Sequence, residues 1–448
     1  MVTAPSATTR RYALTILLIA ALTHFAGLTW PQQAVFDEVT FGKFVNAYCC
    51  TGERFFDMHP PHGKLLIAGA AAIGGYDGSF AFDHIGEPFA AQPVFALRFV
   101  PALTGTLIPL LFFFLLIELR ATPAIALLGG LLVALDNALI AETRILVFDG
   151  VLVSSTIAAI VCFLAAQRRG GHLGWLAGAG AMGGLALGTK LTGLAALGLM
   201  GVMLIGGLGV VTATRIARLR QSVIIGGVAV VVYVAGWIVH WLLLSHPGTG
   251  DAFYPHTGRV LDDFFAAQKT MVQQNLTFDA THPDASKPWT WPLMKVPPYF
   301  WQGDGASIYM LGNPIVWWGS ALVLAALVLQ LVVLRPLGSR TAAPLNTEPR
   351  VWSALAGYAI TFLPLLPIAR VLFMYHYLTP LLFGLAFVLL WLDRSGWGRG
   401  GTLRAQPISY FVVLGLAVIG FLLVSPLTYG FSAGGYDEWL AGVVRSWR

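Results

Sequence analysis

The acidic pair Asp37-Glu38 sits in the string FDEVTFGKF at 36–44, just beyond an apolar run covering about 12–30. A carboxylate where the chain leaves a bilayer can take a proton from a hydroxyl and so activate a weak nucleophile. The plainer reading is a solvated interfacial acid. A second string, MHPPHGKLL at 58–66, follows in the same loop. Its two prolines stop a helix, with His59, His62 and Lys64 around the turn. That pattern reads most simply as a rigid turn. His59 and His62 could ligate a metal, but no third ligand is indicated.

Several cations stand in apolar surroundings. Arg144 lies in ETRILVFDG at 142–150, Lys190 in GTKLTGL at 188–194, and Arg370 just before YHYLTPLLF at 375–383. An intramembrane charge is costly unless partnered. Lys190 interrupts the apolar stretch 171–212, and Asp149 and Asp136 are its natural counter-ions or those of the arginines. Each such pair can be a purely structural ion pair. His376 and Tyr377 can hydrogen-bond a phosphate or a sugar. His282, Trp289 and Trp291, in ATHPDASKPWTWPL at 280–293, read either as the floor of an acceptor groove or as an aromatic belt.

These residues must be positioned by membrane helices. Of the 448 residues, 57% are hydrophobic and 11% charged, with mean hydropathy +0.73. A soluble domain carries about 25% charged residues, so the apolar surface must face lipid. Spans of roughly 20 apolar residues are expected at 12–30, 95–117, 122–140, 147–166, 173–190, 191–212, 222–244, 313–334, 352–369, 371–392 and 407–427. The first follows Arg10 and Arg11 like a signal peptide. Its length and the absence of a small-x-small site favour an uncleaved span. With the N-terminus in the cytoplasm, the cytoplasmic segments hold 14 of the 27 basic residues, among them Arg335, Arg340, Arg399 and Arg404, against three acids.

Two long loops, 31–94 and 245–312, then face outward and carry whatever chemistry there is. The reading is thus one domain, 1–448, an all-α polytopic membrane protein. GAGAMGGLALG at 178–188 fits close helix packing, not a nucleotide loop, since it lacks the GxGxxG spacing. Adjacent cysteines such as Cys49 and Cys50 seldom pair, so no disulfide framework is expected. The scattered charge and lack of a basic block exclude a nucleic-acid partner.

Taken together, FDEVTFGKF and MHPPHGKLL resemble the protein O-mannosyltransferase family, which has a DE-x-x-FGKF segment followed by HPP-x-GKLL at a similar distance. ALRFVPAL at 96–103, ETRILVFDG, GTKLTGL, ATHPDASKPWTWPL and YHYLTPLLF resemble further family segments in the same order. The resemblance covers about 36–385. Thr40 and His62 depart from the family pattern. The second loop has no room for the MIR domain of eukaryotic members, so this resembles the short, bacterial type.

The resemblance implies a GT-C fold of about eleven transmembrane helices. It also implies transfer of mannose, with inversion, from a polyprenyl- or dolichyl-phosphate to Ser or Thr of an exported protein. Asp37 would be the base and Glu38 its helper. Arg98 would grip the phosphate, though an arginine at a helix end can merely snorkel. Arg144, Lys190, His376, Tyr377, His59 and Lys64 would complete the donor site, and His282, Trp289 and Trp291 would meet the acceptor. No cofactor is firmly implied, and a divalent cation is left open. The expected setting is a bacterial inner membrane with a periplasmic site. The nearest rivals are a transferase acting on lipid A or an envelope glycan, and a lipid-linked sugar flippase. The flippase reading lacks repeated halves and broken midplane helices. The sequon Asn275-Leu276-Thr277 is read as accidental.

Overall fold

In lipid a backbone has no water to bond with, so apolar runs satisfy their peptide groups internally as helices. The computed structural model describes residues 6–205, 211, 213–254, 256–278, 280–330, 348–397 and 403–447. Each of the eleven apolar runs contains a helix. In chain order the helices are α1 (Ala7–Phe25), α2 (Glu38–Asn46), α3 (His62–Ile73), α4 (Val94–Glu118), α5 (Pro123–Ala134), α6 (Asn137–Glu142), α7 (Asp149–Arg168) and α8 (Leu173–Thr189). There follow α9 (Leu194–Ile205), α10 (Arg215–Leu243), α11 (Val260–Thr277), α12 (Pro314–Leu329), α13 (Pro349–Phe362), α14 (Leu378–Arg394), α15 (Ile408–Tyr429) and α16 (Tyr436–Arg445). Among the described residues, five segments are long and apolar enough to cross a membrane: Val94–Glu118, Asp149–Arg168, Arg215–Leu243, Met374–Arg394 and Ile408–Tyr429. Arg335, Arg340 and Arg399 lie outside the described residues.

Some runs break where polar or cyclic residues intervene. Asp136 splits 122–140 by accepting the Leu139 N–H at 3.0 Å as the N-cap of α6. Its other oxygen takes the Asn313 N–H (3.1 Å) and the Trp317 Nε1–H (2.8 Å). Asp136 therefore partners no cation, against expectation. The run 352–369 is α-helical only to Phe362, because Pro364 and Pro367 follow.

Helix α7 is the most enclosed of the five, lying against α4 on one side and α8 on the other. Helix α8 meets α10 through Gly180 and Gly184. A Cβ on either would lie 2.6 Å from the Ile225 or Ala229 carbonyl, so only glycine lets the two backbones approach. The 178–188 string is thus packing.

Two corrections concern the long loops. Cys49 and Cys50 are joined as a disulfide. They lie in a wide turn, Ala47–Thr51, closed by a Gly52 N–H to Ala47 C=O bond of 2.9 Å, and this turn accommodates the eight-membered ring. The fold is also not wholly helical. The second loop forms a hairpin of β1 (Tyr299–Gly303) and β2 (Ala306–Tyr309), antiparallel, with Trp301 opposite Ile308. Its Asp304-Gly305 turn has positive φ at both positions (50° and 72°), the preference of a two-residue type I′ connection.

Candidate active site

The hairpin fixes the start of α2. Phe36 has φ +47°, a strained value for a bulky side chain. Its ring stacks on Phe300 of β1 at 4.4 Å, and its N–H donates to the Phe300 carbonyl at 3.0 Å. The strained turn aims the next two carboxylates in different directions.

Glu38 is fully buried, and its carboxylate is saturated. Oε1 accepts from Arg98 Nε (2.7 Å) and the Leu146 N–H (2.9 Å), and Oε2 from Arg98 Nη2 (2.9 Å) and the Val35 N–H (2.9 Å). Arg98, also 0% exposed, gives its remaining N–H groups to the carbonyls of Leu28 (3.3 Å), Pro31 (3.0 Å) and Gln33 (3.0 Å). An arginine has five N–H donors, and all five are used. The structure therefore removes Arg98 as a phosphate ligand and Glu38 as a proton acceptor. Together they pin α2 to α4 and to the loop before α7.

Asp37 differs. It is half-buried at the N-cap of α2, yet its side chain caps nothing and has no hydrogen-bond partner among the described residues. Burial pushes its carboxyl up to about 6. Lys190 opposes that shift, while Asp149 and Asp57 add to it. A base poised near 6 is ionised at neutral pH and still basic enough to take a hydroxyl proton as that proton becomes acidic.

Lys190 stands where α8 ends, with φ −142° and ψ 148°, and so faces inward instead of continuing the helix. Its ammonium donates to both oxygens of Asp149, at 2.7 and 2.9 Å. It also lies 4.9 Å from the Tyr375 ring and 5.2 Å from the Phe148 ring. Lys190, Asp149, Tyr375 and His376 form the polar end of a cavity of about 430 Å³. Leu152, Val153, Leu365 and Pro380 line its apolar part. His376 donates its Nδ1–H to the Phe373 carbonyl (3.0 Å), which leaves Nε2 as an acceptor for a ligand.

His59 stands edge-on to Phe148 at 5.5 Å, with Nδ1 sealed and unpartnered. Burial, then the charges of Lys190, Lys64, Arg370 and His376, hold its pKa well below the usual value, so it is neutral at pH 7. Lys64 is committed elsewhere: it pairs with Asp57, donates to the His59 carbonyl at 2.7 Å, and lies among the rings of Phe44, Phe55 and Phe148. It secures the proline turn and has its charge neutralised there. His62 contacts the carbonyls of Gly188 (3.0 Å) and Val232 (2.8 Å) with its two ring nitrogens, which leaves neither for a metal. Among the described residues no three His, Cys, Asp or Glu side chains are placed to hold a metal ion.

Three further expectations are corrected. Arg144 donates to the carbonyls of His24, Ala26 and Gly27, each at 2.8 Å, so it caps the last turn of α1, with Tyr429 beneath its guanidinium. Tyr377 faces the core, its hydroxyl 3.3 Å from that of Tyr358 and its ring against Trp317 and Phe362. Trp291 is wholly buried, donates to Ser286 Oγ at 2.9 Å and stacks behind His376 at 6.1 Å. It backs the site and does not floor a groove. Trp289 remains 61% exposed.

An open groove does exist, lined by His282, Ser286, Lys287, Thr290, Lys295 and Arg370 among others. Arg370 donates to the Val371 carbonyl (3.2 Å) and Asn275 Oδ1 (3.3 Å), keeps a sealed Nε without a partner, and has no carboxylate beside it among the described residues. Asn275 itself donates to the Met58 (2.6 Å) and Met271 (3.0 Å) carbonyls, so the sequon asparagine is a structural tie.

Residues 14–247 match the family described as dolichyl-phosphate-mannose-protein mannosyltransferase, and 260–445 match the C-terminal four TMM region of protein-O-mannosyltransferase. The chain belongs to the protein O-mannosyltransferase family. It is 36% identical to Protein O-mannosyltransferase 1 of Drosophila pseudoobscura pseudoobscura over 254 residues, 54% of this chain and 28% of that relative. It is 33% identical to dolichyl-phosphate-mannose–protein mannosyltransferase 4 of Saccharomyces cerevisiae over 258 residues, 53% of this chain and 34% of the relative. The aligned stretch thus spans about a third or less of these relatives.

The fold resembles that of the S. cerevisiae protein O-mannosyltransferase Pmt1-Pmt2 complex bound to the sugar donor, with TM-score 0.88, 18% identity, and coverage of 98% of this chain and 93% of that one. ArnT from Cupriavidus metallidurans bound to undecaprenyl phosphate is more distant, at TM-score 0.54 and 14% identity, covering 99% of this chain and 70% of that one. These neighbours share the helical GT-C architecture.

In this chain, two residues of the site carried no assignment from sequence. Tyr375 takes the place expected of Tyr377. Glu142, in the ETRILVFDG string, is buried among the site's charges.

Proposed function

We propose that this chain transfers mannose from a polyprenyl-phosphate donor, of which dolichyl phosphate is one kind, to a Ser or Thr hydroxyl of an exported protein, with inversion at the anomeric carbon. The observation that carries the reading is Asp37: a carboxylate unpartnered among the described residues, raised to about 6 and coupled electrostatically to Lys190, which with His376 forms the polar end of a cavity with aliphatic side chains beyond.

Asp37 accepts the proton of the acceptor hydroxyl while its oxygen bonds to the anomeric carbon. The bond from that carbon to the phosphate oxygen breaks, and the phosphate leaves with the electron pair. A phosphate leaving group needs positive charge, not a proton. Lys190 supplies it, with Arg370 as a further donor. Lys190 is held by Asp149 in the ground state, so the incoming phosphate shares that ammonium. The prenyl chain lies along Leu152, Val153, Leu365 and Pro380, and His282 and Trp289 border the acceptor groove.

The site lies on the extracytoplasmic side of the plasma membrane, as one domain with two outward loops, 31–94 and 245–312. Support comes from the basic bias of the other loops and from the Cys49–Cys50 disulfide in the first loop, since disulfides persist in oxidising compartments. The short second loop fits a bacterial inner membrane.

The test is to incubate membranes holding the protein with radiolabelled polyprenyl-phosphate-mannose and analyse the products by mass spectrometry. Mannose on Ser or Thr of proteins is expected. Label appearing only in glycolipid, or donor moved across the membrane without transfer, contradicts the proposal.

A further inference from the structure

We infer that Glu142 binds hydroxyl groups of the donor sugar and so determines which sugar this enzyme accepts. The inference rests on the donor reading above.

Five carboxylates gather at the site. Glu38 is locked to Arg98, Asp149 to Lys190 and Asp57 to Lys64. Asp37 is the base. Glu142 is left over. It is 1% exposed, makes no side-chain hydrogen bond or ion pair among the described residues, and one of its oxygens is sealed without a partner there. A buried carboxyl in that condition is strongly unfavourable unless something completes it.

Its position says what completes it. The charges acting on it are those of Asp149, Lys190 and Asp37. It opens a strip of chain, 142–149, whose end reaches the site: the Phe148 ring faces Lys190 and His59, and Asp149 holds Lys190. A sugar joined to a phosphate at Lys190 and attacked by an oxygen at Asp37 must lie between those two residues, and Glu142 is the uncommitted carboxyl that interacts electrostatically with both. Its non-reacting hydroxyls are donors without a partner, and Glu142 is an acceptor without one. A site built to hydrogen-bond a substrate hydroxyl rejects an analogue lacking it, because its own polar group is then left unpaired.

The test uses polyprenyl-phosphate-mannose and its 2-, 3-, 4- and 6-deoxy analogues with the full chain in membranes. The unmodified enzyme should lose roughly 10- to 100-fold in kcat/KM with one or two adjacent deoxy donors, the factor lost when a buried polar group is left unsatisfied. In Glu142→Gln and Glu142→Asp that selective penalty should shrink towards unity. Binding of polyprenyl phosphate, which has no sugar, should stay unchanged. Equal use of all four deoxy donors by the unmodified enzyme overturns the inference without any variant, as does a penalty that persists in both variants. Weakened polyprenyl-phosphate binding in both variants would mark Glu142 as structural and also overturn it. Absence of any transfer by the unmodified enzyme would instead fell the mannosyltransferase reading itself.

Discussion

Glu38 and Arg98 face each other through two hydrogen bonds, at 2.7 and 2.9 Å, and backbone groups occupy every other donor and acceptor on both side chains. A fully desolvated, fully bonded pair of this kind has nothing to offer a substrate. What it does is hold the first long loop against α4, with Asp37 at the head of α2.

Breaking that pair should therefore cost stability before it costs chemistry. Glu38→Gln leaves the Arg98 charge uncompensated, and Arg98→Ala leaves Glu38 so. Removing one partner of a buried pair costs about 3–5 kcal/mol. Thermal unfolding in detergent should show a clear loss for each, whereas Asp37→Asn should unfold like the unmodified protein. An unchanged unfolding temperature in Glu38→Gln would contradict the pinning role.

The pH profile should follow Asp37. Its carboxyl is raised to about 6, chiefly by burial, so it becomes protonated, and useless as a base, as pH falls through that value. The kcat/KM for transfer should be flat above pH 7 and fall about tenfold per pH unit well below 6. A profile without an acidic limb, or one centred near 4, would show that the base is some other group.

The cations should separate by their partners. Arg370 has no carboxylate beside it among the described residues and lines the groove, whereas Arg144 is spent on the end of α1. Arg370→Ala should weaken donor binding by roughly 10-fold or more, the scale of a charged hydrogen bond, with little change in folding. Arg144→Ala should lower stability and leave the donor affinity of the folded fraction intact. Fluorescence titration with a polyprenyl phosphate distinguishes the two, and the reverse pattern would contradict the assignment.

Much of the helical layout was legible because an apolar run long enough to cross a bilayer has few alternatives to a helix. The exceptions trace to single residues: Asp136 capping α6, and Pro364 and Pro367 following α13. The hairpin was missed although Asp304-Gly305 between two aromatic and aliphatic stretches is a turn signal, because loop length had been read only as room for function. In the site, the sequence located the acidic pair, and only the family resemblance ranked Asp37 over Glu38. Adjacent residues at a helix start point in different directions, and only the packing of Phe36 on Phe300 shows which one is free. Arg98, Arg144 and Lys190 look alike as lone cations in apolar strings. Their roles diverge through partners far away in the chain: Glu38, the carbonyls of α1, and Asp149. Tyr375 and Tyr377 differ by two positions in a tight turn, enough to send one ring to Lys190 and the other to the core. Glu142 was hidden because nothing in its own string reveals the absence of a partner.

The most direct measurement of the central claim compares Asp37→Asn with the unmodified enzyme in single-turnover transfer from polyprenyl-phosphate-mannose, with donor binding followed in parallel. The asparagine keeps the shape and removes the proton acceptor. The expected result is a loss of roughly 10²–10⁴-fold in the transfer rate, the usual contribution of a general base, with donor affinity and unfolding temperature unchanged. Transfer at the unmodified rate by a folded Asp37→Asn protein would contradict the account.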